Sequence, residues 1–170
     1  NLANKDVELT YGECPFSTAL QCIQWTCPKP NEVFVDLGSG IGQVVVVAAL
    51  CFDFKTSMGI ETLAELHQGA ILAKKKLDKI SPAQASKIQL ILGDVRSVDY
   101  SDADVIFINA TCFFPASWDQ VVNQLLQLKP GARIIISSKS LEHNEFILLK
   151  HKDMPMSWGQ PSIRLYQKKK

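Results

Sequence analysis

Three carboxylates stand where short apolar runs give way to turns, and they are the residues of this 170-residue chain best placed to do chemistry: Asp36, Glu61 and Asp94. Asp36 is followed by Leu37 and then by Gly38, Gly40 and Gly42, spaced G-x-G-x-G. That spacing differs from the G-x-G-x-x-G of dinucleotide sites, and an acid ahead of the first glycine is the usual arrangement for S-adenosylmethionine. Glycines there permit φ > 0 and let a ligand approach the main chain closely. Glu61 follows about twenty residues later, where an acid can grip a ribose. The expected division of labour puts Asp36 by the amino acid portion, Gly38 to Gly42 beneath ribose and methionine, Glu61 on the ribose hydroxyls and Asp94 on the adenine amino group. Each carboxylate would make a charge-assisted bond. The plainer alternative is three ordinary turns with capping acids. Acids after three consecutive strand-like runs favour the ligand.

Asn109 closes a further apolar run, Val105 to Ile108, and leads into Ala110-Thr111-Cys112-Phe113-Phe114-Pro115. The N-P-P-[YF] signature of adenine and glutamine amino-methyltransferases is missing, which counts against methylation of nucleic-acid bases. An Asn carbonyl accepts from an amine without titrating, and Phe113 or Phe114 can wall an apolar channel. Methyl transfer from a sulfonium needs mainly in-line positioning. A lysine acceptor must also lose its proton, and an apolar channel lowers the ammonium pKa enough that no dedicated base is required. His67, His143 and His151 show no spacing for a base or a metal site, and surface positions are expected for them.

These residues need a scaffold, and composition bounds it. A chain of 170 residues with 46% hydrophobic content suits one domain, with residues 1–30 as an N-terminal lid and helix and residues 31–170 as a sheet core. The net charge of +1 gives no global field for nucleic acid or membrane. Lys74-Lys75-Lys76 and Lys168-Lys169-Lys170 read as a solvated face and a tail, the latter leaving room for a weak nucleic-acid contact. Five cysteines without a CxxC pair indicate neither zinc nor a disulfide framework. A reducing compartment is the default. There is no signal peptide and no apolar run of about 18 residues, which argues against secretion and membrane spanning. A first residue of Asn1 suggests an excised domain.

The elements follow in order. Asn1 to Thr10 is expected to be extended, and Tyr11 to Phe16 leads into a helix with Pro15 near its start, as a candidate lid over the ligand edge or as part of a simple N-terminal packing helix. Val33 to Leu37 is a buried strand. Gln43 to Cys51 contains four consecutive valines, yet a parallel strand pair needs a crossover, so helix is assigned there. Thr56 to Ile60 and Ile88 to Leu92 are strands. Between them Leu63, Leu66, Ala70, Ala73, Leu77 and Ile80 recur at helical spacing behind a Thr62/Glu65 capping box. Trp118 to Leu128 is a helix, and Ala132 to Ser137, Asn144 to Lys152 and Ser162 to Gln167 are strands. The alternation predicts an α/β, doubly wound, mostly parallel seven-stranded sheet with a C-terminal antiparallel pair.

Tyr11-Gly12-Glu13, the Phe34 to Gln43 run F-V-D-L-G-S-G-I-G-Q, Gly59-Ile60-Glu61, Gly93-Asp94, the Val105 to Phe113 run, L-K-P-G-A from Leu128, Ser138-Lys139 and Ser157-Trp158 together resemble the disruptor-of-telomeric-silencing family. These are the non-SET histone lysine methyltransferases and their compact microbial relatives. The resemblance implies a class I, Rossmann-like methyltransferase fold and S-adenosylmethionine as cofactor. It implies a cofactor-facing set of Glu13, Cys14, Asp36, Gly38, Ser39, Gly40, Gly42, Gln43, Glu61, Asp94, Val95 and Asn109. It also implies an acceptor side of Asn109, Phe113, Trp158 and Tyr11, with a histone or nucleosome as partner and no metal. Location would be nuclear in a eukaryote and cytoplasmic otherwise. The chain departs from the family pattern at Cys14, where a hydroxyl residue is usual, at Ala110 in place of a second Asn, and at the late channel aromatic, which is either Tyr166 or replaced by Arg164. Other open readings are methylation of a non-histone protein or small molecule, and a silent cofactor-binding domain.

Overall fold

The first strand, β1 (Val33–Leu37), sits at the centre of the computed structural model, which describes residues 12–111 and 113–170. Phe34, Val35 and Leu37 are fully buried, as a strand covered on both faces requires. Parallel neighbours flank it: β2 (Thr56–Glu61) on one side, carrying β3 (Ile88–Leu92) beyond it, and β4 (Val105–Asn109) on the other. The sheet continues through β5 (Arg133–Ser137), β7 (Ser162–Lys168) and β6 (Phe146–Asp153), giving the order β3-β2-β1-β4-β5-β7-β6. β7 is antiparallel to both β5 and β6. The doubly wound sheet with its antiparallel C-terminal pair is as the sequence predicts. Strand order reverses between β1 and β4, which opens a crevice at their carboxyl ends.

Alternation along the strands decides which side chains meet there. Val35, Leu37, Ile106, Ile108, Ile134 and Ile136 face one layer, covered by the helix α5 (Pro115–Leu125) through Val121 and Leu125. Phe34, Phe107 and Ile135 face the other, covered by α1 (Phe16–Trp25) and α2 (Gln43–Cys51). Asp36 and Asn109 fall in step with Phe34 and Phe107. Both therefore turn toward the α1 and α2 layer at the crevice.

The valine run does form helix. Val44, Val45, Val47, Ala48 and Ala49 of α2 are buried, so β propensity yields to the crossover and to packing. Helix α3 (Ala64–Ile80) ends as expected and differs from expectation only at its start. No capping box forms: Leu63 stands in the cap position without a side-chain cap bond, and its N–H donates to Glu61 Oε1 at 2.8 Å. Its buried stripe is His67, Ala70 and Leu77, while Ile80 is exposed. Lys74 lies on the same stripe and donates to the Ile88 carbonyl at 2.7 Å, so it does not belong to the solvated face. His67, expected at the surface, is buried. Ser81 ends α3 and the short α4 (Pro82–Ala85) follows. Helix α5 starts at Pro115, earlier than Trp118, because proline is well suited to the first helical position. It stops at Leu125 in place of Leu128. No helix among the described residues is long and apolar enough to cross a membrane.

Candidate functional site

The turn after β1 is held open by backbone geometry. Gly38, Gly40 and Gly42 have φ of 81°, 54° and 81°, values that disfavour any side chain. Gly38 and Ser39 donate to the Ile60 carbonyl at 2.9 and 3.0 Å, fastening the turn to β2. Gly40 N–H donates to Glu61 Oε2 at 2.8 Å. Glu61 thus spans two main-chain donors, Gly40 and Leu63, and sets the shape of the turn from behind. At Gly59 a Cβ would lie 2.7 Å from Ser39 Oγ, so the strand beside the turn needs its glycine too.

Gly12, Glu13, Cys14, Asp36, Gly38, Ser39, Gln43, Val44, Phe107 and Asn109 line a pocket over this turn. Seven of the expected cofactor-facing residues meet there: Glu13, Cys14, Asp36, Gly38, Ser39, Gln43 and Asn109. Asp36 is buried, and no hydrogen bond or ion pair to it is made among the described residues. Loss of solvent, and secondarily the nearby Glu61 carboxylate, push its pKa up to about 8. A buried acid without a donor, aimed into a pocket, suits a ligand bearing positive charge or N–H donors. The ammonium and sulfonium of S-adenosylmethionine are such groups, so the residues present fit the cofactor.

The segment from Gly12 to Pro15 closes the pocket as a lid. Glu13 N–H donates to Ser157 Oγ at 2.9 Å, and Ser157 N–H returns a bond to the Glu13 carbonyl at 3.0 Å. Trp158 lies against Gly12, where an added Cβ would come 2.5 Å from a ring carbon. The sequence marked Ser157-Trp158 as a pair but gave a site role to Trp158 alone. Cys14 is buried at the pocket wall, and burial holds its thiol protonated. Tyr11 lies outside the described residues, as do Asn1 to Thr10.

Asn109 is gripped by hydroxyls. Its Oδ1 accepts from Ser137 Oγ at 2.6 Å and from Thr111 Oγ1 at 3.0 Å, and Thr111 shares a 2.8 Å bond with Ser138 Oγ. Its amide nitrogen faces the Gly12 carbonyl at 3.5 Å. The carbonyl expected to accept from an amine is therefore occupied, and the side chain presents its NH₂ to the lid. Sequence reading missed Ser137 and Thr111, although the Asn109↔Ser137 register makes them neighbours. Phe113 packs on Trp118 with ring centroids 6.3 Å apart, against the α5 layer and away from the pocket lining.

Other expected residues lie apart. Asp94 is tied to Arg96, whose side-chain hydrogen bonds hold the carboxyl below its usual range. Val95 is buried in the α5-side core. Neither lines the pocket described above. Tyr166 is a core residue whose hydroxyl accepts from Leu141 N–H at 3.1 Å, so it does not wall a channel, and Arg164 donates to the Lys139 carbonyl at 3.2 Å. Lys168 is no tail residue: it is buried, donates to the Leu126 carbonyl and lies over the Phe146 ring at 5.5 Å. Among the described residues no group of His, Cys, Asp and Glu could hold a metal ion.

Solved structures share this architecture. An RNA methyltransferase from Salinibacter ruber in complex with S-adenosyl-L-homocysteine superposes with TM-score 0.72 at 20% identity over 92% of this chain and 94% of that one. A SAM-dependent O-methyltransferase from Thermotoga maritima gives 0.64 at 15% identity over 91% and 65%. The fold is the class I SAM-dependent methyltransferase fold. In sequence, the chain is 36% identical over 144 residues to the H3 lysine-79 specific histone-lysine N-methyltransferase of Emericella nidulans, covering 78% of this chain and 27% of that protein. To the protein of the same name in Caenorhabditis elegans it is 34% identical over 145 residues, covering 80% and 15%. The chain thus spans between 15% and 27% of the length of these relatives, with 23% for the Aspergillus fumigatus protein. Residues 4–157 match the family described as Histone methylation protein DOT1, and the chain belongs to that family.

Proposed function

We propose that this chain is a catalytic domain that transfers a methyl group from S-adenosylmethionine to a lysine of histone H3, and that the lysine is the one named in its relatives, lysine 79. The observation that carries the reading is Asp36, buried and without a donor partner at a pocket whose mouth also holds Asn109 and the lid. When bound, the cofactor supplies an electrophilic methyl on a sulfonium. Asp36 takes its positive end, and the Gly38 to Gly42 turn lets it lie against the main chain. Glu61 keeps free lone pairs for ribose hydroxyls while Gly40 and Leu63 hold it in place. Arg96 keeps Asp94 ionised and oriented for the adenine amino group, beside Val95.

On the acceptor side Asn109 lines the pocket, and Trp158, on the β6–β7 loop against the lid, borders the path of an incoming lysine. The apolar ring of Trp158 strips water from the ammonium and favours its neutral form, while Phe113, packed on Trp118, takes no part. A chromatin substrate places the protein in the nucleus. Lys169 and Lys170 remain exposed for a nucleic-acid contact.

Labelled methyl transfer to reconstituted nucleosomes, free core histones and a mixed metabolite pool tests the reading. Label recovered from histone H3 as N-methyl-lysine is expected. Label confined to metabolites overturns the histone substrate, and failure to bind S-adenosylmethionine overturns the cofactor.

A further inference from the structure

The loop between β6 and β7 is built as a peg. Met154 and Met156 are buried in the α1 and α2 core, and Cys22 Sγ lies 3.6 Å from Met154 Sδ. Thr18 Oγ1 of α1 donates to the Pro155 carbonyl at 2.8 Å. Met154 N–H bonds the Pro161 carbonyl, and Met156 and Gly159 form an isolated antiparallel bridge. The lid hangs on this peg. Glu13 and Ser157 exchange a reciprocal pair of bonds, and the Trp158 ring covers Gly12. Gly12, Glu13 and Cys14 in turn line the pocket.

We infer that Ser157 is a positioning residue for the cofactor pocket: through Glu13 it sets how long the lid stays closed, so that the β6–β7 loop governs cofactor residence without touching the cofactor. The inference rests on the reading of the pocket as the S-adenosylmethionine site. Ser157 Oγ is the acceptor for an exposed N–H, so its loss leaves that donor to water alone and loosens the lid. The buried methionines keep the loop folded in its absence. The Ser157 N–H to Glu13 carbonyl bond persists, which limits the effect.

The test measures S-adenosylhomocysteine dissociation by stopped flow and amide hydrogen exchange of the unliganded protein, for the parent, Ser157→Ala and Ser157→Thr. With Ser157→Ala, dissociation should quicken about three- to tenfold, on the scale of one lost hydrogen bond. Amides of residues 13 and 14 should exchange faster while those of the sheet hold. Ser157→Thr, which keeps the hydroxyl, should restore both. Gly12→Ala, whose Cβ meets the Trp158 ring, should speed dissociation by more than Ser157→Ala does. Parental dissociation together with parental exchange in Ser157→Ala overturns the inference. Faster exchange at the lid with unchanged dissociation overturns the coupling to the cofactor. A parent that binds no S-adenosylhomocysteine overturns the pocket reading itself, while exchange still reports whether Ser157 holds the lid.

Discussion

The two ends of the same parallel strands treat charge in opposite ways. At the amino ends, charges among the described residues are paired, with only Arg133 Nε left without a partner. Arg133 pairs with Glu32 Oε2 at 2.6 Å and donates to the Thr26 carbonyl at 3.1 Å, while Asp104 accepts from Val33 N–H at 2.8 Å and pairs with Lys129 at 2.7 Å. At the carboxyl ends, two carboxylates, Asp36 and Glu61, are buried close together with no cation on either among the described residues. Glu61 is satisfied by main-chain N–H groups and Asp36 by nothing described. One end is arranged for stability, and the other gives up stability for a ligand's sake. That contrast has measurable consequences at each end.

The largest effect is expected at the satisfied end. Arg133→Ala would leave the Glu32 carboxylate and the Thr26 and Cys27 carbonyls without their buried donor. Breaking a buried pair by removing one partner costs about 3 to 5 kcal/mol. Urea unfolding should show a loss in that range, and cofactor affinity should stay within about twofold because the site is distant. A loss below about 1 kcal/mol, the value of an exposed pair, would mean that the amino ends are not a stabilising layer.

Asp36→Asn should move the other way. The folded-state pKa of Asp36, about 8, lies above its ordinary value of 3.8. Its contribution to stability is thus full below the ordinary carboxylate range and is lost as pH rises through about 8. The unliganded parent should weaken over that window and the Asn variant should not. On its alkaline side the variant should be more stable by about 1 to 2 kcal/mol, since an unpaired buried charge is gone. Cofactor affinity should fall by about tenfold or more, the value of a bond to a charged group. Unfolding curves at several pH values and calorimetric titration separate the two effects. Equal pH dependence in both proteins would show that Asp36 is not the stressed group.

The sheet was legible in the sequence because its strands are short apolar runs separated by glycines, prolines and helical spacing, and even the valine helix followed from topology. The helix ends were not. Nothing in Thr62 or Glu65 reveals that Leu63 takes the cap position with its N–H on Glu61, because that arrangement depends on where β2 ends in space. The glycine turn and its acids stand together in sequence, so half of the site could be read directly. The clamps on Asn109 and Glu13 come from Ser137, Thr111 and Ser157, common residues whose roles exist only through strand register and loop packing. His67 and Lys168 misled for a related reason: side chains that are usually exposed can be carried inward by a stripe or a strand face.

Glu61 sharpens the contrast because it is buried yet satisfied. In Glu61→Gln one oxygen remains to serve one of the Gly40 and Leu63 donors, and the new NH₂ opposes the other. Stability should fall by about 1 to 2 kcal/mol, the cost of an unsatisfied buried donor, and cofactor affinity should fall with it. Asp36→Asn gains stability while losing affinity, so the two acids are distinguished by the sign of one measurement. A stable Glu61→Gln protein with weakened binding would assign Glu61 to the ligand alone.

The smallest effect is expected at Tyr100, which belongs to neither end. It is buried in the α5-side core with its hydroxyl unpartnered among the described residues. Burial, and secondarily the Asp94 carboxylate, hold the phenol protonated. A buried donor without a partner lowers stability, and its removal with the ring retained is close to neutral or favourable. Tyr100→Phe should therefore leave the protein as stable as the parent or more so by up to about 1 kcal/mol, with cofactor affinity within about twofold. A loss of more than about 1 kcal/mol would mean that the hydroxyl has a partner in solution. Unchanged stability with a clear drop in affinity would move Tyr100 to the unsatisfied end, as a donor beside Asp94 reserved for the ligand, and would extend that end of the sheet beyond β1 and β2.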